Sequence, residues 1–183
     1  PAVRPAVSVK APAQSRRVFP DAQCSYTLPD KDWEWLDPRA VGHPNPDSTI
    51  VLARKMKASL VFAVRVERLG NERPGRRSYR DFETGLVRSG QIKVVGRRHL
   101  GLWGVPGYEV DVESEAGRRG PVRLLFANDR MYVFQLLTDR LEPPAAAEAE
   151  TVYRGFEFIG PPKPMLGPDD GRDDDAEGAF QAG

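Results

Sequence analysis

Tyr108-Glu109-Val110-Asp111-Val112-Glu113 alternates apolar and acidic residues one by one. Successive side chains of a strand point to opposite sides, so this period puts one face in the core and one in water. Two more strand-like runs follow, Val122 to Ala127 and Met131 to Leu137. A turn over Ala116 to Gly120 would set Glu113 opposite Arg123, with Val112 beside Leu124 and Val110 beside Phe126. A two-residue Asn128-Asp129 turn sets Leu124 beside Val133 and Leu125 beside Tyr132. Val110, Val112, Leu124, Phe126 and Val133 then form one core face. Met131 and Val133 make one side of the last strand apolar, and Tyr132, Phe134 and Leu136 the other, so helices should cover both.

Upstream, Tyr26-Thr27-Leu28-Pro29 reads as a short edge strand and Trp33-Glu34-Trp35 as a second extended piece. Thr49 to Lys55, Ser59 to Leu69 and Val94 to Trp103 are strand-like, and Gly104 to Gly107 turns the chain. Ser78-Tyr79-Arg80-Asp81 fits a capping box, and Tyr79, Phe82 and Leu86 follow at helical spacing. A helix is therefore expected over Ser78–Ser89. A second, over Pro144–Tyr153, has proline in its first turn and brings Ala149, Val152, Tyr153 and Phe156 inward. The fold class is α+β: an α/β/α sandwich on a central, mostly antiparallel sheet with helices on both faces.

The 183 residues read as one soluble domain between two tails. A domain of this size buries about 70% of its unfolded surface, so no disulfide or metal staple is required. Residues 1–18 hold three prolines and four cations without an acid, a Pro/Ala-rich linker. Residues 161–183 begin with prolines and run into Asp169-Asp170 and Asp173-Asp174-Asp175, an acidic tail expected to be disordered. Residues 19–160 are the domain. With 27 Lys and Arg against 26 Asp and Glu, the chain lacks the dense cationic face of a nucleic-acid binder. The single cysteine, Cys24, reads as a partly buried small side chain. No stretch is long and apolar enough to span a membrane. The chain opens with Pro1 rather than Met, which leaves room for a signal peptide or anchor upstream.

This order of elements resembles the PsbP-like fold family, found in bacterial PsbP-related envelope proteins and shared with a Ran-binding accessory protein. The resembling residues are Tyr26-Thr27-Leu28-Pro29 with Trp33 after it, the helix around Phe82, and Gly104-Val105-Pro106-Gly107-Tyr108. The Asn128-Asp129-Arg130-Met131-Tyr132 hairpin and the closing Gly155-Phe156-Glu157-Phe158 complete the pattern. The Arg-rich loop from Gly70 to Arg77 has no place in it. The resemblance implies a non-catalytic protein that docks to a larger assembly, in the periplasm or at the envelope.

Chemistry read from the residues is sparse. His43 lies in a proline-rich loop and His99 follows Arg97-Arg98, so neither has the partners of a zinc site. Phosphate loops, nucleophile elbows and cofactor motifs are not recognisable. Glu109, Asp111 and Glu113 share one strand face opposite arginines, which reads as a solvated face rather than an acid/base pair. The candidate binding residues are Arg97 and Arg98 on a sheet edge, joined by Trp103 as a core plug or an exposed anchor. They would receive an acidic protein partner, and reversing both arginines to Glu should leave stability untouched. The alternative is a small hydrolase with a site near His99, recognisable by a cleft that holds it with an acid and a hydroxyl. A monomer without cofactor or metal is expected.

Overall fold

The computed structural model describes residues 15–41, 49–54, 60–70, 74–90, 92–115, 117, 119–138 and 146–165. Most of the expected linker, the acidic run of the tail, His43, Arg118 and the Pro143-Pro144 helix start lie outside them.

Among the described residues, ten strands and two α-helices occur in the order β1 (Arg16–Phe19), β2 (Cys24–Thr27), β3 (Trp33–Trp35), β4 (Thr49–Arg54), β5 (Leu60–Arg68), α1 (Arg76–Gly90), β6 (Ile92–Leu102), β7 (Val105–Ser114), β8 (Arg119–Ala127), β9 (Arg130–Thr138), α2 (Ala146–Tyr153) and β10 (Phe156–Phe158). Seven strands form one sheet in the order β3-β4-β5-β9-β8-β7-β6, and β1-β2-β10 form a smaller one. All of their pairings are antiparallel.

β9 organises the core. Tyr132, Phe134 and Leu136 pack with Tyr26, Phe62, Val152, Tyr153 and Phe156, beneath α2 and the small sheet. Val133 packs through the opposite face with Val110, Val112, Leu124, Phe126 and Tyr79 of α1, as the alternation requires. The α+β class and antiparallel sheet stand, but two helices alone do not make the helical layers of an α/β/α sandwich. On the α2 side the small sheet shares the cover. It is tied on by Tyr26, whose hydroxyl donates to the Val152 carbonyl at 2.5 Å, and by Tyr132, which donates to Ala22 at 3.0 Å.

Several expectations shift. Arg16, Arg17 and Val18 belong to β1, paired with Thr27, Tyr26 and Ser25, so the linker cannot run to residue 18. β2 is the middle strand of its sheet rather than an edge, and Cys24 there is fully buried, its thiol pushed up to about 12 by burial. At the other end, Met165 N–H donates to Phe126 at 3.1 Å and Lys163 to the Asn128 side chain at 2.8 Å. Residues 161–165 thus cover the end of the β8–β9 hairpin.

α1 begins two residues before Ser78. The Ser78 hydroxyl accepts from the Gly75 N–H at 2.9 Å, so serine itself takes the answering role the acid was expected to fill. The β8–β9 turn is as read: Leu124 pairs with Val133, and Asn128 and Asp129 have φ of +54° and +57°. The β7–β8 register is not. Glu113 faces Arg119, and Arg123 faces Glu109, because the chain reverses earlier than expected, just before Gly117, at φ +76°. A shift of an even number of residues leaves every side chain on its expected face, which is why the core list survives.

Candidate functional site

β6, β7 and β8 lie side by side, so three positions per rung share a face. Arg98, Glu109 and Arg123 form one such rung, and Gly96, Asp111 and Pro121 the next. α2 crosses this face and brings Glu150 and Tyr153 onto Arg123. Between helix and sheet lies a cavity of about 490 Å³, lined by Val95, Arg98, Glu109, Asp111, Glu113, Arg119, Pro121, Arg123, Ala149 and Glu150, among others.

The expected solvated face is therefore half wrong. Asp111 is exposed and Glu113 partly so, but Glu109 is 1% exposed and Arg123 3%. Periodicity places side chains on a face without saying what later covers it. Glu109 accepts from Arg98 Nε at 2.5 Å and from Arg123 Nε. Arg123 Nη2 donates to Glu150 at 2.8 Å, and the guanidinium lies 3.7 Å from the Tyr153 ring centre. Burial alone would lower the Arg123 pKa; Tyr153, Glu150 and Glu109 outweigh it and hold the group charged. Its Nη1 has no hydrogen-bond partner among the described residues, nor does the Tyr153 hydroxyl. Arg119 pairs with Glu113 at 2.9 Å. Asp111 makes no ion pair or hydrogen bond among the described residues, and burial, then the charge of Glu109, raise its pKa.

A β-bulge shapes the rim. The β6–β7 register slips between Val94 and Gly96, and Val95 reaches the cavity wall while remaining 53% exposed. Gly96 is also required locally: a Cβ there would lie 2.9 Å from Asp111 Oδ2.

The three residues expected to form a binding edge do not meet. Arg97 and Arg98 are neighbours on a strand and point to opposite faces. Arg97 reaches toward α1, where Glu83 accepts three hydrogen bonds from its guanidinium and a fourth from the Tyr108 hydroxyl at 3.0 Å. Arg98 lies at the cavity. Trp103 is at the apex of the β6–β7 hairpin, with Leu102 paired to Val105, so the turn is Trp103-Gly104 rather than Gly104 to Gly107. Its φ is +51°, uncommon for a bulky side chain, and its ring stacks on Phe134 at 5.4 Å and meets Phe156 at 4.9 Å. Trp103 plugs the core. His99 packs between Tyr79 at 5.9 Å and Tyr108 at 5.1 Å, on the face of β6 turned away from the cavity. The hydrolase reading needed a cleft around it, and this cavity does not supply one.

No group of His, Cys, Asp and Glu among the described residues could hold a metal ion, and no described helix is long and apolar enough to cross a membrane. Sequence reasoning missed the cavity because Glu150 comes from a segment 27 residues beyond Arg123.

No family model and no curated protein matches the chain. Solved structures do. The chain is similar to cyanobacterial PsbP (CyanoP) from Synechocystis, with a TM-score of 0.54 at 12% identity, over 85% of this chain and 98% of that one. It is also similar to the Saccharomyces cerevisiae Ran-binding protein Mog1p, with a TM-score of 0.52 at 10% identity, over 79% and 94%. The fold is thus the one these two proteins share, as the resemblance implied. At such identities the likeness is one of fold.

Proposed function

We propose that the protein is a non-catalytic binding or accessory module of the bacterial cell envelope, docking to a partner protein through the face where α2 crosses the sheet. The observation that carries this is the cavity itself. Its described charges other than Asp111 are held in ion pairs, a stable arrangement for holding a partner group and a poor one for proton transfer. Rims rich in paired charge favour selective, salt-sensitive association. The two fold neighbours support the class of activity, one being a Ran-binding protein by name. The Arg97, Arg98 and Trp103 surface is replaced here by one to which only Arg98 contributes. The envelope location rests on the fold likeness to PsbP alone.

A photo-crosslinking residue at Val95, on the cavity rim, should give one discrete adduct in the native cell. The same residue at Val87, exposed on α1, should not. Loss of the Val95 adduct at high salt is expected. Equal labelling from both positions, or none from Val95, overturns the docking face. Fractionation of cells carrying the epitope-tagged native gene tests the compartment, and an adduct recovered only from cytosol removes the envelope.

A further inference from the structure

Two arginines are buried among the described residues. Arg123 meets the carboxylates of Glu109 and Glu150. Arg130, 5% exposed and paired with Ala127 at the far end of β8 from the cavity, meets none among the described residues. Its Nε donates to the Asp21 carbonyl at 3.0 Å and its Nη1 to the Asn128 carbonyl at 2.7 Å, both neutral acceptors. Nη2 has no acceptor, yet it is not among the sealed unpartnered atoms, which are Arg123 Nη1 and the Tyr153 hydroxyl. Solvent therefore touches Nη2, and a ligand atom can. A buried guanidinium without a counter-charge is costly. Arg68 adds to the imbalance. It sits directly opposite Arg130 on β5, so both side chains leave the same face of the sheet, and it is exposed without an ion pair among the described residues. Like charges directly opposite are unfavourable until an anion joins them.

We infer that Arg130 and Arg68 form a carboxylate-binding site, and that its occupant is the chain's own acidic run at 169–175. Pro164 bridges to Ala127, and Ala127 pairs with Arg130, which puts the departing chain two strand spacings, about 10 Å, from the site. Asp169 follows Met165 by four residues and Asp173 by eight, reaches of up to about 14 and 28 Å. A tethered carboxylate acts there at high local concentration. Asp21 and Asp129, exposed at the two turns beside the site, would repel a doubly charged phosphate more than a carboxylate. The site stands apart from the docking face and does not depend on it.

The test is paramagnetic relaxation on the full chain, with a nitroxide on Ala176→Cys, just past the acidic run. Cys24 is fully buried and its thiol is pushed up to about 12, so it stays unlabelled. Amide broadening should centre on Asp21, Leu69, Asn128 and Asp129, and fade at high salt. Replacing Asp169, Asp170, Asp173, Asp174 and Asp175 by Asn should abolish it. Arg130→Gln should remove it too. Arg68→Gln, at an exposed position that leaves the fold alone, should reduce it about twofold, the scale of one exposed charge pair. Arg88→Gln, exposed on α1, should change nothing. Broadening centred on α1 or spread evenly, broadening that survives the five Asn substitutions, or insensitivity to Arg68→Gln overturns the inference. So does binding of acetyl-Gly-Glu-Gly-amide at these amides with no broadening from the nitroxide, which would make a partner's carboxylate the occupant.

Discussion

Glu109 and Arg123 sit directly opposite one another on β7 and β8, and both are almost wholly buried. Each is the other's main compensation for leaving solvent. Removing one partner strands a buried charge, which costs about 3–5 kcal/mol, whereas replacing both with apolar groups is often neutral. Glu109→Ala should therefore lose that amount in urea unfolding, and Glu109→Leu with Arg123→Met should recover most of it. A single variant that loses under about 1 kcal/mol would mean that Arg98 or Glu150 rearranges to take over.

The Arg97–Glu83 pair corrects the expectation that Arg97 can be reversed freely. Arg97→Glu sets a carboxylate against Glu83, whose side chain is only 16% exposed, and should lower the melting temperature measurably. Glu83→Gln should cost about 1–2 kcal/mol, the scale of a hydrogen-bonded, partly exposed charge. The Arg97 hydrogen bonds hold the Glu83 pKa below its ordinary 4.5. Its contribution is therefore present above about pH 4.5 and is lost as pH falls through the folded value. Wild type and Glu83→Gln should converge in stability under acid; a gap that persists unchanged to pH 2 would contradict the assignment.

Asp111 has the opposite sign. Burial and Glu109 raise its pKa above the ordinary 3.8, against the opposing pull of Arg98 and Arg123. The folded state binds this proton better than the unfolded one. Stability is therefore greatest below pH 3.8 and is lost as pH rises through the folded value. Asp111→Asn should raise stability, and with it the melting temperature, at pH 7; the gain is below about 1 kcal/mol because the residue is exposed and screened. A lower melting temperature at neutral pH would point to a cationic partner within the chain itself.

Two glycines should answer alanine in opposite directions. A Cβ on Gly155 would lie 2.3 Å from the Thr27 carbonyl oxygen and 2.7 Å from the Tyr26 ring, where α2 hands over to β10. Gly155→Ala must push the small sheet away from the helix, and a loss of several kcal/mol is expected, at the upper end for overpacking. Gly85 lies in the middle of α1 with open space around it. Gly85→Ala should gain about 0.4–1 kcal/mol by restricting the unfolded chain. Thermal unfolding of both variants checks the pair, and equal effects would refute the packing argument.

What was legible followed local chemistry. Asn128-Asp129 dictates a two-residue turn, so the β8–β9 register came out correctly, and alternation placed Tyr132 and Val133 on opposite faces. The β7–β8 register depended on where a Gly-containing loop reverses, and several reversals were compatible with the same composition. Arg97 and Arg98 were legible as cations but were read as one surface, against the alternation that separates strand neighbours. The burial of Glu109 was out of reach locally. It depends on α2 returning across the sheet, a contact between residues far apart in the chain. Trp103 at the apex of a tight turn ran against its own backbone preference, and only its packing on Phe134 and Phe156 explains it.

The slip at Val95 has a consequence for the molecule among its own copies. The larger sheet ends on β6, eleven residues long, whereas its other end strand, β3, has three. A long, regular terminal strand can template the addition of further chains, and in a crowded cell that leads to fibres. The bulge breaks the even spacing of amides that such growth requires, and exposed Lys93 beside it sets a positive charge against an arriving copy. The irregularity that puts Val95 on the cavity wall thus also works against runaway polymerisation.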